Sequence, residues 1–287
     1  MCGIVGLHVL DAELEGQLGP LLTAMLTQMT DRGPDSAGIA VYGDTVADGS
    51  LKYSCRAASH PVDWEALAAE LTLSITRHGD GIVLTGAPGL NTAIEAYGVR
   101  IVSTGRSVEV FKETGLPGTV LDRFQISTRT GYQGVGHTRL ATESAITTDG
   151  SHPFSTHDDL CVVHNGSFSN YFSVKRDLEA LGEQFLTHND TEVAARLIGY
   201  EMNHGRDLGD ALHVLQKQLD GFYTLLCATE NQFAVVRDAV SCKPAMIAVH
   251  PRYVAMASEY RALAELPGID EAEVFEPTPT EIYVWTR

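Results

Sequence analysis

Apolar positions recur with two different periods along the chain, and the changes of period outline its elements. Residues 3–9 (GIVGLHV) form an almost unbroken apolar run of strand length, as expected of a strand buried on both faces. Over 16–30, Leu18, Leu21, Leu22, Met25, Leu26 and Met29 fall at helical spacing and predict an amphipathic helix. The segment Asp31-Arg32-Gly33-Pro34-Asp35-Ser36 must then be a loop, because Gly and Pro punctuate it and the residue before a proline avoids the helical region. A strand resumes at Gly38–Tyr42. Residues 45–130 are harder to read: a helix is predicted over 63–76, followed by short strands and Gly-rich turns. A strand at Leu160–Val163, a turn at His164-Asn165-Gly166-Ser167 and helices at 170–182 and 190–204 come next. From 221 onward FYTLLCA, QFAVVRD, AMIAVH and YVAMAS read as strands separated by polar turns. Strands first, helices in the middle and strands last predict an α+β layered fold rather than a doubly wound one. With no repeat, low-complexity tract or convincing linker, one domain over 1–287 with an insertion at about 45–130 is the simplest expectation.

Composition narrows the function classes. The 287 residues are 44% hydrophobic, as in an ordinary globular protein, with 37 acidic against 20 basic residues and a net charge of −17. That balance argues against nucleic acid and against an anionic membrane surface, both of which need clustered Lys and Arg. No stretch approaches the roughly 18 apolar residues of a membrane span. The first residues lack a basic region and soon turn acidic, unlike a signal peptide, so the expected location is cytoplasmic. Five cysteines without C-x-x-C spacing disfavour a disulfide framework and a zinc or iron–sulfur site on this chain. Cys161 and Cys227 sit in apolar runs and read as core residues; Cys55 and Cys242 have no usable chemical context. His152, His157 and His164 bring no matched ligand pattern, so no metal is expected. The glycines of Gly131-x-x-Gly134-x-Gly136 fit neither the dinucleotide fingerprint nor the Walker spacing, so no cofactor is expected here.

Cys2 has a distinct chemistry. Removal of Met1 would give one residue both a thiol and a free α-amine, whose pKa of roughly 7.7–8.0 lets it act as a general base. Nucleophile and base would then share a residue. Alone, a cysteine near a terminus is more often incidental. Three further segments change that weighing: Arg32-Gly33-Pro34-Asp35-Ser36-Ala37-Gly38, Gly136-His137-Thr138-Arg139-Leu140-Ala141-Thr142, and Val163-His164-Asn165-Gly166-Ser167-Phe168 followed by Asn189-Asp190-Thr191-Glu192. With Cys2-Gly3-Ile4-Val5-Gly6, they resemble the class II glutamine amidotransferases, N-terminal nucleophile (Ntn) hydrolases, in that family's order. Weaker likeness continues at Arg237-Asp238, Lys243-Pro244 and Ala257-Ser258-Glu259.

The resemblance implies a four-layer αββα sandwich of two antiparallel sheets flanked by helices, and a set of roles. Cys2 would attack the amide of L-glutamine, forming a γ-glutamyl thioester and releasing ammonia. Asn165 and Gly166 would form the oxyanion hole, although Asn-Gly by itself reads as a tight turn. Arg139 would grip the substrate carboxylate with its planar fork and Asp190 the substrate ammonium, although alone these are a surface cation and a helix cap. Thr142 would help line the pocket; Arg32 and Asp35 would shape the loop beside the nucleophile. Glu143-Ser144 stands where many synthase-type members carry His-Gly, so position 143 receives no role.

The expected length of the chain leaves no room for a second catalytic domain, which places the ammonia acceptor on another polypeptide. The run from Arg139 to Phe154, with the insertion, is most similar to stand-alone amidotransferase subunits of glutamate-synthase-like complexes, and in particular of N-methylglutamate synthase. That implies a hetero-oligomer whose partner subunits carry FMN and an iron–sulfur cluster. Other split glutamate synthases and a subunit related to phosphoribosylpyrophosphate amidotransferase remain open. So do an Ntn hydrolase of another amide and an inactive partner-binding subunit.

Overall fold

The computed structural model describes residues 2–141 and 145–287. Strand β1 (Gly3–Val9) leads through helices α1 (Ala12–Glu15) and α2 (Leu18–Thr27) to β2 (Ser36–Tyr42). The next stretch forms β3 (Leu51–Ala57), α3 (Trp64–Leu71), β4 (Ser74–His78), β5 (Gly81–Gly86), α4 (Asn91–Glu95), β6 (Val99–Gly105), β7 (Val108–Thr114) and α5 (Pro117–Arg123). Then come β8 (Gln133–Arg139), β9 (Cys161–Phe168), α6 (Tyr171–Ala180), α7 (Asp190–Asn203) and α8 (Leu208–Gln218). The chain continues through β10 (Gly221–Ala228), β11 (Gln232–Arg237), β12 (Met246–His250), β13 (Tyr253–Ala257), α9 (Tyr260–Leu263), β14 (Glu273–Phe275) and β15 (Ile282–Thr286).

Two antiparallel sheets stack face to face. One has seven strands in the order β14-β12-β13-β1-β8-β2-β7, the other four in the order β15-β11-β10-β9. Strand β1 shows why its sequence is apolar throughout. Val5, Leu7 and Val9 pack with Leu18, Leu22, Met25 and Leu26 of α2. Ile4, on the other face, packs with Cys161, Val163, Leu226 and Phe233 of the second sheet. Between them Gly6 lets the sheets close, since a Cβ there would lie 2.5 Å from Leu226 Cδ2. Helices α6 to α8 cover the outer face of the second sheet through Val174, Leu178, Val193, Leu197, Leu212 and Leu215. The αββα order expected from the resemblance is therefore the observed one.

The interposed stretch adds a third sheet, β4-β5-β3-β6. Its own core, with Tyr53, Leu84, Leu67 of α3 and Ile94 of α4, makes it a small sheet-and-helix layer. Strand β7 instead joins the edge of the seven-stranded sheet, with Gly38 opposite Lys112. Two buried carboxylates tie this layer down. Glu109 of β7 pairs with Lys52 at 3.0 Å, with His78 Nε2 at 3.2 Å and with Arg129. Burial opposes its charge, but hydrogen bonding from His78 and the two cations hold its pKa down at about 2. Asp159 accepts from the backbone N–H groups of Arg106, Ser107 and Val108 and from the Ser107 hydroxyl, closing the β6–β7 turn.

Three local expectations are corrected. The helix predicted over 63–76 ends at Leu71, where Thr72 turns left-handed (φ 55°) and Ser74 begins β4. His164-Asn165-Gly166-Ser167 is not a turn but lies inside β9, with Asn165 opposite Thr224 of β10. Helix α8 was not anticipated from the sequence, although Asp207 caps it by accepting from Asp210 N.

Candidate functional site

Strand pairing brings the candidate residues to one end of the two sheets. Gly3 of β1 lies opposite Thr138 of β8, so Arg139 ends its strand beside Cys2. The half-buried Cys2 thiol donates to the Leu140 carbonyl at 3.9 Å. The Cys2 carbonyl accepts from Asn165 Nδ2 at 3.2 Å and from Arg32 Nε at 2.9 Å. Arg32 is backed by Glu259 at 2.7 Å. Hydrogen bonding to Arg32, with the charge of Arg261 beside it, holds the Glu259 carboxyl below the ordinary range. This ties the residue carrying the thiol to the loop at 32 and to β9 at once.

Two glycines make the close approach possible. A Cβ on Gly3 would fall 2.7 Å from Met29 Cβ and 2.8 Å from Thr138 Oγ1. Gly166, at φ +149°, would place a Cβ 2.1 Å from the Phe222 carbonyl oxygen. Gly166 therefore has a backbone conformation and a closeness to β10 that other residues would not tolerate, and the neighbouring Asn165 amide reaches the Cys2 carbonyl.

Arg139 is buried and donates to the Ala145 carbonyl at 3.3 Å. Its guanidinium stands beside Gly150, whose carbonyl accepts from Asn189 Nδ2 at 3.1 Å. Asn189, not Asp190, caps α7 by accepting from Thr191 N. Asp190 is thus the first residue of the helix, where the unpaired N–H groups favour a negative charge. Its carboxylate accepts from Phe168 N at 3.0 Å. Asp35, expected to shape the loop, accepts from Ala141 N at 2.8 Å. Cys2, Asn165, Gly166, Arg139 and Asp190 are joined by these contacts into one constellation; Thr142 and Glu143 lie outside the described residues. Such an arrangement offers a thiol, an amide donor and two opposite charges, the elements needed to hold a small zwitterion over a nucleophile.

The scan of known families matches the glutamine amidotransferase domain to residues 122–279. Among curated proteins, the glutamine amidotransferase-like protein GlxB of Rhizobium meliloti is 46% identical over 99% of this chain and 98% of its own length. The chain belongs to the glutamine amidotransferase family. A putative glutamine amidotransferase of Methanothermobacter thermautotrophicus is 28% identical, with 99% of each chain covered. Among solved structures, glutamine phosphoribosylpyrophosphate amidotransferase from B. subtilis superposes with a TM-score of 0.66 at 21% identity. The present chain spans 47% of that enzyme's length, and the likeness is one of fold. This is a class II glutamine amidotransferase with the Ntn fold.

Beside the amidotransferase site lies a buried polar cluster that the motif reading did not assemble. His137 Nε2 donates to the His164 carbonyl at 3.0 Å, and the His137 and His152 rings lie 4.0 Å apart. Burial is the main cause that lowers all three imidazoles, His137 to about 3, His152 well below its ordinary value and His164 in the same direction. His157, named with two of them from sequence, lies elsewhere and bonds the Asp158 carbonyl. Among the described residues no three His, Cys, Asp or Glu side chains are arranged to hold a metal ion. No local pattern singles out His137, which sits between Gly136 and Thr138 of β8 and meets its partners only through the fold.

The other cysteines differ from Cys2. Burial pushes the Cys161 thiol up to about 12 and raises Cys55 and Cys227 as well, whereas Cys242 is exposed. Buried, protonated thiols are poor nucleophiles.

Proposed function

We propose that Cys2 hydrolyses L-glutamine and that the ammonia passes to a partner subunit of a glutamate-synthase-like complex, N-methylglutamate synthase being the favoured one. The observation that supports the reading is the convergence of Asn165 and Arg32 on the Cys2 carbonyl, with Arg139 and Asp190 in neighbouring segments. With Met1 removed, the Cys2 α-amine takes the thiol proton as the sulfur attacks the side-chain amide carbon. Negative charge developing on the amide oxygen is met by Asn165 Nδ2 and the Gly166 N–H, donors typically worth about 3–4 kcal/mol each in such reactions. The Cys2 ammonium returns that proton to the amide nitrogen, and collapse of the intermediate expels ammonia and leaves a thioester, which water cleaves to glutamate and the free thiol.

Arg139 and Asp190 act as a two-ended clamp on the α-carboxylate and α-ammonium. A peptide or simple amide would leave one end unpaired, which gives selectivity for the free amino acid. Ammonia is useful only where water cannot protonate it, so we place the acceptor on subunits carrying FMN and an iron–sulfur cluster. The third sheet, inserted at about 45–130 into an otherwise single domain, is the first candidate for their docking surface. The test is Cys2→Ala in the assembled complex: glutamine-dependent synthesis should be lost and ammonia-dependent synthesis retained. Loss of both with the assembly intact would refute delivery from this site.

A further inference from the structure

The Thr191 hydroxyl is fully buried and sits at the junction of three groups. His152 Nε2 lies 2.7 Å from it and His164 Nδ1 2.8 Å from it. A hydroxyl has a single hydrogen, so at least one of these ring nitrogens must donate to the oxygen. Asp190 Oδ1 is 3.4 Å from the same oxygen, and His164 Nδ1 is 3.7 Å from Asp190 Oδ1, beyond a hydrogen bond. His164 Nδ1 is therefore partnered by Thr191 and kept just short of the carboxylate. His152 is placed from behind: Lys112 Nζ donates to the Ser151 carbonyl at 2.8 Å and to the Pro153 carbonyl at 3.2 Å, fastening that segment to β7. Asn189 Nδ2 holds the Gly150 carbonyl of the same segment.

We propose that Thr191 is a positioning residue for the substrate ammonium, holding His164 off Asp190 so that the carboxylate stays available. The proposal rests on Asp190 binding the ammonium. Remove the hydroxyl and the nearest acceptor for the His164 ring N–H becomes Asp190 Oδ1, so imidazole and substrate compete for one oxygen. The hydroxyl's partners are His152, His164 and Asp190 rather than the Cys2 thiol or the Asn165 amide, so the chemical step should be spared.

The experiment compares wild type, Thr191→Val and Thr191→Ser in the complex as purified. It uses glutamine and glutaramate, the analogue that lacks the α-amine. Thr191→Val should raise the glutamine KM about tenfold, equivalent to about 1.4 kcal/mol, with kcat within threefold. Its affinity for glutaramate should be unchanged, and Thr191→Ser should restore the glutamine KM to within twofold of wild type. Thr191→Ala, which only deletes atoms, is read in the same way should the valine variant not fold. Unchanged glutamine KM, equal weakening of glutamine and glutaramate, or failure of serine to restore binding would each overturn the proposal while leaving the glutaminase reading intact. A wild type that does not hydrolyse glutamine through Cys2 would overturn the reading, and the proposal with it.

Discussion

Glu109 and Asp190 are carboxylates set in opposite surroundings. Glu109 is buried at the root of the third sheet and is saturated by Lys52, Arg129 and His78. Asp190 stands at a helix N-terminus with backbone and hydroxyl donors, and among the described residues no Lys or Arg comes within salt-bridge range of it. The difference separates two uses of a negative charge. A carboxylate whose cations are built in fastens one layer to another; one given dipoles but no built-in cation keeps capacity for a cation brought by a ligand. The imidazoles follow the same division: His78 lies 3.2 Å from Glu109 inside the cation cluster, whereas burial lowers the pKa of His164 beside Asp190.

The largest expected effect falls on the fastening side. Glu109→Ala would strand buried Lys52 and half-buried Arg129 without this counter-charge, a loss of about 3–5 kcal/mol. Calorimetry should show the melting temperature falling by roughly 10 °C, with the glutamine KM of the remaining folded protein unchanged. A shift in KM without a loss of stability would break the division. Next comes Asn165→Ala, where steady-state kinetics should show kcat falling roughly 100- to 1000-fold with little change in melting temperature. Equal losses of stability and activity would make Asn165 a structural residue of β9.

The smaller effect is on pH dependence. His137 is pushed down to about 3 in the folded protein, so between pH 6.5 and 3 the unfolded chain takes up a proton that the folded chain does not. Stability is therefore highest above about pH 6.5 and falls as the solution is acidified. For His137 alone the loss from pH 7 to pH 5 is about 2 kcal/mol. Glu109, depressed to about 2, adds its own loss only below the ordinary carboxylate range. Denaturant titrations of wild type and His137→Phe at both pH values check this, and an unchanged slope in the variant would assign the sensitivity elsewhere.

Much of this was legible in the sequence wherever local pattern and packing agree. Strand β1 reads as buried on both faces because both faces meet apolar layers, and α2, α6 and α7 lie close to where their periodicity placed them. The third sheet was opaque because burial along its strands does not follow the apolar pattern, so period and burial part company; β4 is largely exposed. Asn165-Gly166 misled for a different reason. The dipeptide that usually turns a hairpin here lies within a strand, where Gly166 passes close to the Phe222 backbone on its neighbour. The site's named residues could be picked out from motifs, while Lys112, His137 and Thr191 act through contacts between segments far apart in sequence, which no local pattern records.

Reaction with an electrophilic glutamine analogue, followed by peptide mass spectrometry of the active complex, tests the nucleophile directly. The adduct should be on Cys2, in a peptide that begins at Cys2, with Cys55, Cys161, Cys227 and the exposed Cys242 unmodified. An adduct on Cys242 with Cys2 untouched, or an active chain that retains Met1, would contradict hydrolysis of glutamine by an N-terminal cysteine.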